Sequence, residues 1–256
     1  MESILNLYSY FNLSGYQILL LMLVGMLLGM AKAGVKGVGT ASIPIAALIF
    51  GAKESTGILL PMLIMSDMGA VSHYYKETKW PELAKLLPFA VIGVIVATWV
   101  GQYINGDSFQ FLMGILIMIC LLLLLLSGWL GDDLVVEKHH FLGSLTGVGL
   151  GFTTMIGNAA GPLMNIYMLV IKMPKTVFIG TSAMFFFIIN VIKIPFHVFI
   201  WKTITWKTFL LGMTTLPAVV IGLVFGVYLV KLMSERFFRL LVIFTTALSG
   251  MVLLFA

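Results

Sequence analysis

Residues 29–44 read GMAKAGVKGVGTASIP, and residues 147–162 read GVGLGFTTMIGNAAGP. Each stretch is rich in glycine, joins a long apolar segment to a shorter one, and ends at a proline. A glycine-rich break in a membrane helix frees backbone N–H and C=O groups that lipid cannot satisfy, so it lies inside the protein or lines a cavity. The matched pair therefore predicts a helical membrane protein with two similar halves and a polar centre.

Composition supports this assignment for the whole chain. Of its 256 residues, 61% are hydrophobic and 10% are charged, whereas a soluble domain has roughly 25% charged residues. The net charge of +5 is spread over short loops, which is typical of orientation signals and not of nucleic-acid binding. The single cysteine excludes an internal disulfide and a CxxC site. We therefore expect residues 1–256 to form one transmembrane domain without a soluble part.

Ten apolar segments are predicted to be helical. The second and seventh have about 15 residues and fall short of a hydrocarbon core about 30 Å thick. If all ten cross, one side carries three Lys or Arg residues and the other carries eleven. The positive-inside rule then places both termini outside the cell membrane. The segments are 14–31, 37–51, 54–75, 83–105, 108–129, 139–156, 159–171, 175–200, 206–230 and 236–256.

The two halves are predicted to be inverted repeats, over residues 14–129 and 139–256. Five segments per half is an odd number, so the second copy has the opposite orientation. Inverted repeats with broken helices near the midplane are a recurrent transporter architecture. The short helices after the breaks would point their N-termini at this centre, where unpaired N–H groups favour anions. The alternative is that the glycines serve close helix packing, since Gly25/Gly29, Gly157/Gly161 and Gly222/Gly226 have GxxxG spacing.

Three charged residues lie within or beside apolar segments: Lys32, Asp67 and Lys193. A buried lysine needs a carboxylate, a set of carbonyls or a bound anion as partner. Two lysines and one aspartate leave an excess of positive charge, which suits an anion. Lys32 could instead extend to a headgroup, and Asp67 could carry a proton or simply neutralise a lysine. Asn190, Lys193 and His197 share one helix face, although a histidine near a span end is also typical of the membrane interface.

Motifs for catalysis and nucleotide binding are missing from the sequence. It contains no HExxH, GxSxG or CxxC motif. Residues 29–37 resemble a phosphate-binding loop, but Val35 stands where that motif needs lysine. We therefore expect no enzyme activity, no metal or organic cofactor, and neither nucleotide nor nucleic acid as a partner.

The chain resembles the TauE/SafE sulfite exporter family, also called the toluene sulfonate uptake permease family. The resemblance rests on residues 29–48 and 59–80 in the first half and 151–193 in the second. Its more specific pieces are GNAAGP, the pair Gly180 and Thr181, and the pair Asn190 and Lys193. It implies a carrier for sulfite, thiosulfate or organosulfonates in a prokaryotic-type inner membrane. The family pattern falls on Lys32, Gly34 and Asp67, while Lys36 stands where the family often has glycine.

The predicted function is a secondary transporter in which Lys32 and Lys193 balance the anion and the breaks supply backbone donors. Lys193→Gln is expected to abolish binding without unfolding the protein. A passive anion channel is the main alternative, and an intramembrane enzyme or a scaffold is less compatible with paired lysines. Direction, coupling and oligomeric state stay open. The candidate binding residues are Lys32, Lys36, Gly37, Gly39, Thr40, Ser42, Asn158, Ala159, Gly161, Asn165, Tyr167, Thr181, Asn190 and Lys193, with Asp67 and His197 as coupling or charge-balancing groups.

Overall fold

A computed structural model describes residues 2–35, 38–129, 140–171 and 173–232, together with Phe244 and Met251. Over these residues the chain forms helices and turns, and no strand. The α-helices in these ranges are α1 (Glu2–Tyr10), α2 (Gly15–Lys32), α3 (Val38–Phe50), α4 (Ala52–Tyr74), α5 (Trp80–Tyr103), α6 (Gly106–Trp129), α7 (His140–Gly157), α8 (Gly161–Val170), α9 (Lys175–Pro195), α10 (Trp206–Thr214) and α11 (Leu216–Leu232).

The first nine predicted segments coincide with these helices, and the prediction of an all-helical protein is confirmed for the described residues. Helices α3 and α8 are short, with 13 and 10 residues. The ninth segment is divided, because α10 and α11 meet at an angle of 43°. Helix α1 precedes the first predicted segment, and the tenth segment, 236–256, lies outside the described residues except for Phe244 and Met251.

Four helical stretches are long and apolar enough to cross a membrane, and a fifth is added if α10 and α11 form one bent span. These numbers refer to the described residues alone. The four are Gly15–Lys32, Ala52–Glu77, Trp80–Tyr103 and Thr176–Ile200. The chain is therefore a multi-pass membrane protein, while ten crossings, inverted repeats and the orientation of the termini remain predictions.

Glycines allow α2 and α11 to cross with their backbones in contact. A Cβ atom at Gly29 would collide with the carbonyl oxygen of Val219, and one at Gly222 would collide with that of Met26. The contacts are reciprocal, because Val219 precedes Gly222 by three residues and Met26 precedes Gly29 by three residues. The GxxxG packing alternative is therefore correct for the pairs that contain Gly29 and Gly222.

Helices α5 and α7 cross in the same reciprocal way. A Cβ atom at Gly93 would collide with the carbonyl oxygen of Val148, and one at Gly151 would collide with that of Ala90. Again each contact falls three residues before the partner's glycine. The two crossings hold α2 to α11 and α5 to α7 at backbone distance.

Helix α4 is the most enclosed of the four spans, because 67% of its apolar 18-residue window is buried, against 33–44% of the corresponding windows of the others. It packs against α9 as well as α2, α3 and α10. A helix that faces protein on most sides can hold polar groups away from lipid. The packing of α4 against α9 brings Asp67 and Asn190 together.

Candidate functional site

Both predicted breaks occur between a long helix and a short one. The chain leaves α2 through Gly34, whose φ is +113°, and leaves α7 through Asn158, whose φ is +52°. Glycine tolerates positive φ because it has no Cβ atom, and asparagine is one of the residues enriched there. Helices α3 and α8 begin a few residues later, at Val38 and Gly161.

A cavity of about 160 Å³ is lined by residues of both breaks and of helices α2, α3, α4, α7, α8 and α9. An apolar protein cavity of about 150 Å³ can hold a benzene molecule, so this space admits a small oxyanion or a short organic acid. The lining contains polar as well as apolar side chains. The lining residues are Leu28, Ala31, Lys32, Gly34, Gly39, Leu63, Thr154, Asn158, Gly161, Asn165, Phe178, Ile179, Ser182, Ala183, Phe186 and Asn190.

Lys32 and Asp67 form an ion pair at the edge of this cavity. The Lys32 Nζ atom lies 2.6 Å from Asp67 Oδ1, and the side chains are 16% and 0% exposed. The same Nζ atom lies 4.5 Å from the ring centroid of Phe186, within cation–π distance. Lys32 therefore turns inward to a carboxylate, and not outward to a lipid headgroup.

The amide of Asn190 connects this ion pair to the second lysine. Its Nδ2 atom donates a hydrogen bond to Asp67 Oδ2 at 2.8 Å, and its Oδ1 atom accepts one from Lys193 Nζ at 3.2 Å. The donor end of the amide thus faces the carboxylate and the acceptor end faces the ammonium. This side chain makes two charge-assisted hydrogen bonds, one to Asp67 on α4 and one with Lys193 on its own helix, α9.

Lys193 is fully buried and bonded to oxygen atoms. Besides Asn190, its Nζ atom donates to the Thr154 carbonyl at 2.8 Å and to Asn158 Oδ1 at 2.7 Å. The Thr154 carbonyl belongs to the last turn of α7, where the helix dipole favours a positive charge. Lys193 therefore holds the break after α7 against α9, so its replacement would remove structural contacts as well as a charge.

His197 lies in a second buried layer, and its side chain is 0% exposed. Its Nδ1 atom is 2.8 Å from Thr203 Oγ1, and its Nε2 atom has no hydrogen-bond partner within the described part of the protein. The ring contacts Trp201 edge-on, with centroids 5.1 Å apart. His197 is therefore enclosed by protein, and its position at the membrane interface stays a prediction.

The buried lysines, the ion pair and the paired breaks describe a membrane protein built around a small polar cavity. The family model of the sulfite exporter TauE/SafE matches residues 18–253, which is nearly the whole chain. This chain belongs to the TauE/SafE family. Its members are transporters of sulfur anions and not enzymes. No curated protein and no solved structure gives a significant match.

The TauE/SafE cavity gathers many, but not all, of the candidate binding residues. Lys193 and Asp67 lie directly behind the lining and reach it through Asn190 and Lys32. Lys36 and Gly37 lie outside the described residues, as does the side chain of Thr40. The candidates that line the cavity are Lys32, Gly39, Asn158, Gly161, Asn165 and Asn190.

Four candidates are engaged elsewhere. Ser42 Oγ donates to the Gly39 carbonyl at 2.5 Å, and Ala159 is buried in an apolar cluster. Tyr167 donates to Glu82 Oε2 at 3.4 Å, and Thr181 Oγ1 accepts from the backbone N–H of Lys79 at 3.0 Å. None of the four lines the cavity, so their direct contact with an anion is not supported by this TauE/SafE structure.

Sequence reasoning missed two polar lining residues, Thr154 and Ser182. Ser182 Oγ is buried and has no hydrogen-bond partner in the described ranges. A usable signal existed, because Ser182, Phe186 and Asn190 are spaced by four residues and therefore share one face of α9. Thr154 stands four residues before Asn158, in the last turn of an otherwise apolar helix.

Proposed function

We propose that this TauE/SafE protein is a secondary carrier that binds sulfite, thiosulfate or an organosulfonate in the cavity and exposes it to each side of the membrane in turn. The observation that supports this most is the Lys32 ammonium, which lines a polar cavity together with three asparagines. An ammonium and amide N–H groups are hydrogen-bond donors for oxyanions. The unpartnered hydroxyl of Ser182 is one further donor on the same lining.

Helix N-termini add to the attraction for an anion. Gly39, in the first turn of α3, and Gly161, the first residue of α8, both line the cavity. The first N–H groups of a helix have no partner within the helix, and the helix dipole places partial positive charge there. The first turns of the two short helices thus offer backbone donors to the cavity.

The predicted inverted repeat is part of this proposal, and two kinds of helix contact support it. The crossing of α2 with α11 matches the crossing of α5 with α7, including the three-residue offset of each glycine contact. Helices α4 and α9 are the third segments of their halves, so exchanging the halves turns the contact between α4 and α9 into itself. A carrier can then move one half against the other around a fixed anion site. We also propose an inner-membrane location with both termini outside the cytoplasm.

The first test is a panel of anions added to the purified protein while its thermal unfolding is followed. The panel contains sulfite, thiosulfate, sulfoacetate, an aryl sulfonate, sulfate and acetate. A ligand that binds only the folded state at 100 times its Kd adds about 2.7 kcal/mol to stability. We expect selective stabilisation by a sulfur anion, retained in Lys76→Gln, an exposed lysine, and lost in Lys32→Gln. Absence of stabilisation by every sulfur anion would contradict the proposal.

Carrier and channel are separated by flux. In liposomes that contain unlabelled anion, a carrier takes up labelled anion from outside faster than it does in liposomes without internal anion. A channel instead gives unitary currents in planar bilayers and no such acceleration. We expect the accelerated exchange.

A second prediction compares two neighbouring residues of α8. Asn165→Ala is expected to weaken anion binding by about 10-fold or more, which corresponds to the roughly 1.5–3 kcal/mol of one hydrogen bond to a charged group, because Asn165 lines the cavity. Tyr167→Phe is the matched control, since its hydroxyl contacts Glu82 and not the cavity. Its affinity should stay within twofold of wild type. Isothermal titration measures both, and the reverse order of effects would show that Tyr167 binds the anion.

A further inference from the structure

Formal charge around the cavity can be counted from hydrogen-bond geometry. Lys32 and Asp67 are 2.6 Å apart, and such a pair is neutral wherever the shared proton resides. This contribution is therefore zero. Lys32 is also the one charged side chain among the described residues that line the cavity.

Lys193 contributes one positive charge, because three of its four partner atoms, two amide oxygens and a carbonyl oxygen, can only accept, while the fourth is the Thr154 hydroxyl at 3.3 Å. The Asn190 amide gives its N–H to Asp67, and the Asn158 amide gives its N–H to the Thr56 carbonyl at 3.4 Å. Both amide oxygens must then face Lys193, and the third partner is the Thr154 carbonyl. Three acceptors need three N–H donors, which only the protonated ammonium has.

The remaining titratable group beside this network is His197, four residues after Lys193 and just beyond the end of α9. A charged imidazolium there would bury a second cation with an unpartnered Nε2–H, so the neutral ring is favoured. In the described structure, α2 supplies Lys32, α4 supplies Asp67 and α9 supplies Lys193, while α7 and the break after it supply neutral partners. The described network thus has a net charge of +1.

We propose that this net charge makes the site selective for a singly charged sulfur anion, with Asp67 as the residue that sets the charge preference. The inference rests on the proposed function of the same cavity. A monoanion leaves the buried network neutral, whereas a dianion leaves an unbalanced negative charge in a low-dielectric interior. Removing the carboxylate by Asp67→Asn raises the net charge to +2 and reverses the preference toward dianions.

Two pairs of anions test this, each pair similar in shape and different by one charge. The first is methanesulfonate and sulfate, and the second is isethionate and sulfoacetate. Isothermal titration at neutral pH should give wild-type protein at least tenfold tighter binding of the monoanion in the pair that fits the cavity. Asp67→Asn should bind the dianion of that pair more tightly. Glu54→Gln is the matched control, because it makes the same chemical change at an exposed position of α4, and it should keep the wild-type preference.

The wild-type protein alone decides the inference if Asp67→Asn does not fold. Tighter binding of the dianion by wild type would overturn the charge preference and leave the proposed function intact. Binding of none of the four anions, nor of any sulfur anion in the larger panel, would overturn the function and the inference together. Lys36, outside the described residues, is examined through Lys36→Gln. We expect an unchanged preference, and loss of the preference for the monoanion in that variant would show that Lys36 belongs to the network and would overturn the count of +1.

Discussion

Replacing Lys32 with methionine is expected to lower the free energy of unfolding by about 3–5 kcal/mol, the usual cost of leaving one member of a buried ion pair without its partner. Asp67 is 0% exposed, and Lys32 is its charged contact at 2.6 Å. Methionine keeps much of the length and apolar contact of the lysine side chain but not its charge. After the substitution, Asn190 alone would donate to the Asp67 carboxylate among its present partners.

A double-mutant cycle isolates the ion pair from other effects. Lys32→Met combined with Asp67→Asn should recover most of the lost stability, because no uncompensated charge is then buried. Unfolding in mixed detergent micelles measures the four proteins. Lys85→Met is the matched control, since Lys85 pairs with Glu82 at 3.0 Å but is 48% exposed, and an exposed pair contributes about 0–1 kcal/mol. If the single and double variants at Lys32 were equally unstable, the loss would come from packing and not from charge.

A comparably large loss is expected when Gly29 becomes alanine. The new Cβ atom would collide with the carbonyl of Val219, so α2 and α11 could no longer cross at backbone distance. Backbone cannot turn aside as a flexible side chain can, and overpacking of this kind costs about 3 kcal/mol or more. Thermal unfolding and elution as a single species in size-exclusion chromatography report the effect.

An equivalent substitution at the other helix crossing and a control substitution test this expectation. Gly151→Ala should cause a similar loss, because its Cβ atom would meet the backbone of Ala90 in the crossing of α5 and α7. Gly15→Ala has nothing within 4 Å of the new atom and should leave stability unchanged or slightly higher. Wild-type stability in Gly29→Ala would mean that the two helices can separate at little cost.

Apolar length and glycine-rich breaks were sufficient to predict nine helices and the two interruptions. They also indicated that Lys32 and Lys193 need buried partners, because that requirement follows from the cost of burying charge. The identity of the partners was not predictable. Thr154 lies 39 residues from Lys193, and no local pattern specifies which helix will pack against α9.

The sequence also could not show which of the neighbouring hydroxyl groups of Thr181 and Ser182 faces the cavity. Successive residues of a helix differ by about 100° in direction, so the rotation of α9 decides which of Thr181 and Ser182 faces the cavity. The rotation of α9 is fixed by tertiary contacts such as that between Thr181 and the backbone of Lys79. Ser182 therefore faces the cavity and Thr181 does not, although the two residue types have the same hydrogen-bonding chemistry.

The two-ended amide of Asn190 has a consequence for how α4 and α9 can move. Sliding α4 along α9 would take Asp67 away from the Asn190 donor, whereas the contact between Asn190 and Lys193 lies within α9 and would be kept. Intermediate positions would leave the buried Asp67 carboxylate short of this partner, which makes them costly. Helices α4 and α9 are therefore expected to change between discrete registers and not to slide continuously past each other.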